Sequence, residues 1–203
     1  MTTLTVVPTP TVAAATRTAI TAAGLAAAVA SAASIASSVI SSDASQAESA
    51  QAPVTIVGCL ITGLAFAVIA VTLPGLSAAT RLPRWSLALA GLAAAFTAVS
   101  AWTFGTVLPH LAGHVSPAQF EELGHPDFLL MLFRLPMQAL GLVGFIALAV
   151  SGWRRRAFSR GAAVVLILAG VAGALTGWWA VVGLLAGVAM AWAARTAKAT
   201  QDS

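Results

Sequence analysis

Three histidines, His110, His114 and His125, fall in one stretch of the sequence, with Glu121, Glu122 and Asp127 among them. His110 and His114 stand four residues apart, so a helix running through them would put both imidazoles on one face. Two imidazoles at that spacing with carboxylates nearby form a ligand set for zinc or copper. The candidate ligands are His110, His114, His125 and Glu121. The competing expectation is a short wet loop that simply collects polar residues, with histidine capping helix ends. No His-Glu-x-x-His sequence and no cysteine partner narrows the choice. A divalent metal is the one cofactor the sequence admits, and it demands none.

Arg134 is the second residue that could do chemistry. It follows the apolar run Phe128 to Phe133, and Gln138 lies one turn further on the same helical face. A charge among membrane-depth side chains is costly and marks a function or a specific partner. Three readings are open. Either the span starts only at Leu135-Pro136, leaving Arg134 at interfacial depth; or Arg134 snorkels outward to Asp127, Glu121 or Glu122; or Arg134 and Gln138 bind an anionic or polar ligand. Beyond these residues the sequence holds no Walker A loop, no dinucleotide-binding glycine pattern, no nucleophile elbow and no acidic pair inside an apolar run. Histidine is absent from the middle of every apolar run, which disfavours haem held between two imidazoles. No catalytic motif argues for an enzyme.

The elements that must position these residues are apolar. Of 203 residues 59% are hydrophobic and 8% charged, and the mean hydropathy is +0.94. A soluble domain carries roughly 25% charged residues to keep its surface wet. A soluble enzyme, a disordered tail and a disulfide scaffold are thereby excluded, and an integral membrane protein remains. The net charge of +4 does not point to nucleic acid, because the cations form no basic face. Cys59 is the single cysteine, so no intrachain disulfide can form.

The expected fold is an all-α, polytopic transmembrane bundle of six spans at about 17–40, 54–73, 85–108, 135–152, 161–176 and 178–194. An outer loop at 109–127, a loose arm at 1–16 and a tail at 195–203 complete it. The last apolar stretch is too long for one crossing of a core about 30 Å thick, and Thr176-Gly177-Trp178-Trp179 is its natural fold point. The charges support this division. With both ends inside (N-in/C-in), the inner segments hold Arg17, Arg81, Arg84, Arg154, Arg155, Arg156, Arg160, Arg195 and Lys198. The outer loops hold Asp43, Glu48, Glu121, Glu122 and Asp127, with Arg134 alone off the scheme. That is the positive-inside pattern. Trp85, Trp153 and Trp192 are expected at inner ends, and Trp178 and Trp179 at the outer turn. A cleaved signal peptide, with Arg17 as its basic part, is the alternative reading of the first span.

Packing is expected through small residues. Ala22, Ala26, Ala30, Ser34 and Ser38 recur at every fourth position and should face inward, with Leu25, Val29, Ile35 and Val39 toward lipid. Gly173-x3-Gly177 and Gly183-x3-Gly187 should close the final hairpin. Ser116-Pro117-Ala118-Gln119 reads as a helix start, with Ser at the N-cap and Pro at N1.

Trp102-Thr103-Phe104, Pro109-His110-Leu111-Ala112, Arg134-Leu135-Pro136 and Gly152-Trp153-Arg154-Arg155-Arg156-Ala157-Phe158, followed by a Gly-rich terminal hairpin, carry a resemblance. Over its second half the chain resembles the small, alanine-rich, multi-span integral membrane proteins of actinobacteria. The resemblance implies a bacterial plasma-membrane location and no particular activity. The leading functional expectation is a non-enzymatic accessory or regulatory component, with the lipid bilayer and a second copy or another membrane protein as partners. The alternative is small-molecule binding or transport through a polar pocket beneath the outer loop, formed by Arg134, Gln138 and the histidines. A metal-binding membrane enzyme is third.

Overall fold

The computed structural model describes residues 12–41, 43–78, 80, 82–124 and 128–197. Eight α-helices are present among them: α1 (Val12–Ile40), α2 (Gln46–Gln51), α3 (Pro53–Thr72), α4 (Arg84–Ala112), α5 (Pro117–Gly124), α6 (Phe128–Arg154), α7 (Arg160–Thr176) and α8 (Trp179–Thr196). A 3-10 helix, Leu73–Ala78, leads out of α3, and the described residues contain no strand. Five helices are long and apolar enough to cross a membrane, while the apolar helix α7 is shorter, at 17 residues.

Local signals set the helix boundaries. Pro53 opens α3 from its first turn, where a missing N–H costs nothing. Ser45 and Glu48 close a capping box on α2, and Ser159 caps α7 by accepting the Ala162 N–H at 3.3 Å. The C-terminus of α6 is a Schellman turn, in which Ala157 N–H reaches the Gly152 carbonyl at 2.9 Å and Arg156 N–H the Trp153 carbonyl at 3.1 Å. Arg156 takes the left-handed position there, with φ 53°, where glycine is the usual residue.

The long helices close a ring. Each packs on its neighbours in the order α1, α3, α4, α6, α7, α8, and α8 returns to α1, while α4 and α8 touch across the middle. Alanine makes this possible: Ala27, Ala90, Ala93, Ala149, Ala163, Ala169 and Ala186 are fully buried, and Phe66, Ile69, Phe145 and Leu166 fill the spaces between them. The closest approach is between α1 and α8. A Cβ on Gly24 would lie 2.5 Å from the Gly187 carbonyl oxygen, and one on Gly187 would lie 2.6 Å from the Gly24 carbonyl oxygen. No side chain fits between these two backbones.

Several expectations need correction. On α1 only Ala30 and Ser34 of the small-residue row are buried; Ala22, Ala26 and Ser38 are exposed, and the buried sector runs through Ala23, Gly24, Ala27, Ala28 and Ser31. A helix with two packed neighbours buries a broader, rotated sector than a single row at every fourth residue describes. Leu25, Val29 and Val39 are exposed, whereas Ile35 is half-buried. Gly183 and Gly187 serve the seam with α1 and not the final hairpin, because Gly183 faces Ser31 and Thr62. Of the four motif glycines Gly173 faces across the hairpin, at Val182. Trp179 is buried beside Cys59, Ala101 and Ala180, so it is core and not interfacial, while Trp178 remains exposed. The first helix starts at Val12, soon after Pro10, so only part of 1–16 is outside it; residues 1–11 lie outside the described residues, as do Arg81 and Lys198. Finally, α4 runs on through Pro109, and α6 begins seven residues before Leu135 and continues through Pro136. A single proline removes one N–H from a long ladder, which a well-packed helix tolerates.

Candidate functional site at the histidine end

The helix order puts chemically distinct ends on the bundle. Arg17, Arg84, Arg154, Arg155, Arg156, Arg160 and Arg195 gather at the end where α1, α4 and α7 start and α6 and α8 finish. Asp43, Glu48, His110, His114 and Glu122 lie at the other, here called the histidine end. That end carries a small roof. Ser116 N–H donates to Gln119 Oε1 at 3.0 Å, and Gln119 N–H returns to Ser116 Oγ at 3.4 Å, which starts α5. Phe120 of α5 then buries itself against Ala47 of α2 and Ala112 of α4.

His110 and His114 come together as their spacing requires, with ring centroids 4.3 Å apart and planes tilted by 38°. Both rings are exposed. His114 Nδ1 lies 2.7 Å from the His110 carbonyl oxygen. A carbonyl only accepts, so in this bond Nδ1 donates. His125 and Asp127 lie outside the described residues, as does the side chain of Glu121. Among the described residues no three His, Cys, Asp or Glu side chains gather as a metal cluster would require.

Arg134 and Gln138 meet a different partner from any considered at the outset. Arg134 Nη2 donates to the Thr176 carbonyl at 3.0 Å, and Gln138 Nε2 donates to the Ala174 carbonyl at 3.1 Å. The last four carbonyls of a helix lack intrahelical donors. In α7 the Gly177 N–H covers the Gly173 carbonyl at 2.8 Å, so three of those four are satisfied. Gly177 has φ 58°, and a Cβ there would run into the Arg134 guanidinium and lie 2.7 Å from Gln138 Nε2. The cation also sits at the negative end of the α7 dipole. At about 1.5 Å per residue, the 17 residues of α7 span about 26 Å. The sequence put Arg134 and Gln138 on one face, and no side-chain pattern marked the α7 carbonyls that this face meets.

A cavity of about 340 Å³ does lie under the roof, but beside different residues. Ser34, Ser38, Ser49, Thr55 and Gln46 supply its polar groups, and Phe104, Phe120, Trp178 and Trp179 its aromatic walls. Neither Arg134, Gln138, His110 nor His114 lines it. A second, wholly apolar groove of about 580 Å³ runs on the outside of the bundle between α1 and α3, lined by Ala26, Val29, Ala30, Ala33, Val57 and Gly58 among others.

Comparison of the chain with models of known protein families, with curated proteins and with solved structures gave no match in any of the three.

Proposed function

We propose that the chain is a non-enzymatic accessory or regulatory component of a bacterial plasma membrane, crossing it six times with both ends inside, and acting by packing against itself or another membrane protein. The apolar α1–α3 groove carries the reading. Helices associate in lipid where small residues let backbones approach. Ala26, Ala30 and Ala33 form such a row beside Gly58, while Val29 and Val57, exposed by 70% and 53%, stand as flanking ridges. The arginine end supports the orientation through the positive-inside rule, and the capping of α7 supports a sixth crossing. The test is oxidative crosslinking in native membranes of Ala26→Cys, Ala33→Cys, Val54→Cys and Val57→Cys, each in a Cys59→Ala background. Adducts of one discrete mass, twice the chain or the chain plus one partner, are expected. No adduct at any of the four positions would overturn the reading.

The cavity under the roof favours a second reading, in which the chain binds an uncharged polar small molecule. Its hydroxyls and amide offer hydrogen bonds and its aromatic walls offer stacking surface. Ligand titration should then shift the emission of Trp178 and Trp179, and Ser38→Leu should abolish the shift.

A further inference from the structure

The arginine end holds a groove of about 640 Å³ between the start of α4 and the last turns of α6. Its floor is one stripe of α6, Val143, Ile146 and Val150, which continues one turn further to Arg154. The opposite wall is Trp85, exposed by 59% at the depth where indole prefers the headgroup region. An aliphatic stripe leading to a guanidinium suits an amphiphile with an acyl tail and an anionic head, and a phosphate head matches the planar fork.

The surrounding charge has the same sign throughout. Arg155 shares the mouth, and Arg154 also lines an adjoining hollow with Arg156 and Arg160. Among the described residues the acids Asp43, Glu48 and Glu122 all belong to the other end. The Schellman turn that ends α6 carries Arg154, Arg155 and Arg156 together at this end.

We propose that an anionic glycerophospholipid occupies this groove, with its acyl chain along the α6 stripe and its phosphate on Arg154. Basic pockets between membrane helices take such headgroups, and each arginine near the surface is worth about fivefold in affinity. The site does not depend on which compartment the arginine end faces, nor on the α1–α3 groove.

The test is native mass spectrometry of the full chain in mild detergent with equal amounts of phosphatidylglycerol and phosphatidylcholine of identical acyl chains. Preferential retention of phosphatidylglycerol is expected. Arg154→Gln should lower that preference about fivefold, and Arg195→Gln, at the same end but outside the groove, should leave it unchanged. Val143→Trp fills the groove without touching a charge and should bring phosphatidylglycerol down to the phosphatidylcholine level. Equal retention of the two lipids by the native chain would overturn the proposal. So would competition by free glycerol phosphate as effective as by the lipid, because the stripe would then contribute nothing.

Discussion

The seams α1–α8 and α6–α7 hold neighbouring helices by opposite means. Between α1 and α8 the contact is the absence of side chains: Gly24 and Gly187 bring the two backbones together, and beneath Gly183 the buried hydroxyls of Ser31 on α1 and Thr62 on α3 lie 3.2 Å apart. Between α6 and α7 the contact at the histidine end is two long side chains, Arg134 reaching the Thr176 carbonyl and Gln138 the Ala174 carbonyl. Both serve backbone satisfaction, the first by bringing two backbones into direct contact and the second by giving the end of α7 side-chain donors. The difference shows what a lone arginine does at Arg134: it supplies a donor to the last carbonyl of the neighbouring helix.

Substitutions can separate the two modes. Gly187→Leu should have the largest effect, because its side chain would have to displace the α1 backbone. Overpacking costs about 1–3 kcal/mol even where side chains can yield, so thermal unfolding in detergent should show a loss at or above that range. Arg134→Ala should follow, since it strips the donor from the Thr176 carbonyl at a cost of about 1–3 kcal/mol. Arg134→Lys should recover only part of it, because a point charge replaces a planar fork. Gly177→Ala should cost about 1–2 kcal/mol through its left-handed backbone, and more if the guanidinium cannot move aside. Ser31→Ala should cost about 0.6 kcal/mol, the usual value of a hydroxyl bond between membrane helices.

The smallest effect belongs to the roof. Hydrogen bonds from the Ser45 backbone and side chain hold the Glu48 carboxyl below its ordinary pKa. A lowered value in the folded state means that the α2 cap is intact above the ordinary carboxylate range and weakens as the pH falls through the lowered one. Proteolysis within α2 should therefore accelerate on acidification, and Glu48→Gln should remove that pH dependence.

Much of this was legible in the sequence. Hydropathy and arginine placement gave the all-helical membrane class, and Gly177 marked the break between α7 and α8. The faces of the helices were not legible, because an alanine-rich helix offers small residues on every side, and which side packs depends on how many neighbours it has. Ala22 and Ala26 matched the expected row and are exposed; Gly183 and Gly187 matched a hairpin motif and serve another seam. Arg134 and Gln138 were singled out as unusual, but their partners are carbonyls of Ala174 and Thr176, and no side-chain pattern marks a carbonyl. Trp179 escaped for a similar reason: its neighbour Trp178 shares its type and lies at the surface, and one step of helical rotation separates core from interface.

The crossing of the membrane by α7 is the claim on which both the topology and the role of Arg134 rest. It is tested most directly by labelling single cysteines, Ser159→Cys before α7 and Trp178→Cys after it, in a Cys59→Ala background with a membrane-impermeant maleimide. Labelling from opposite faces, Trp178→Cys in intact cells and Ser159→Cys only in inverted vesicles, is the predicted result. Labelling of both positions from the same face would contradict it.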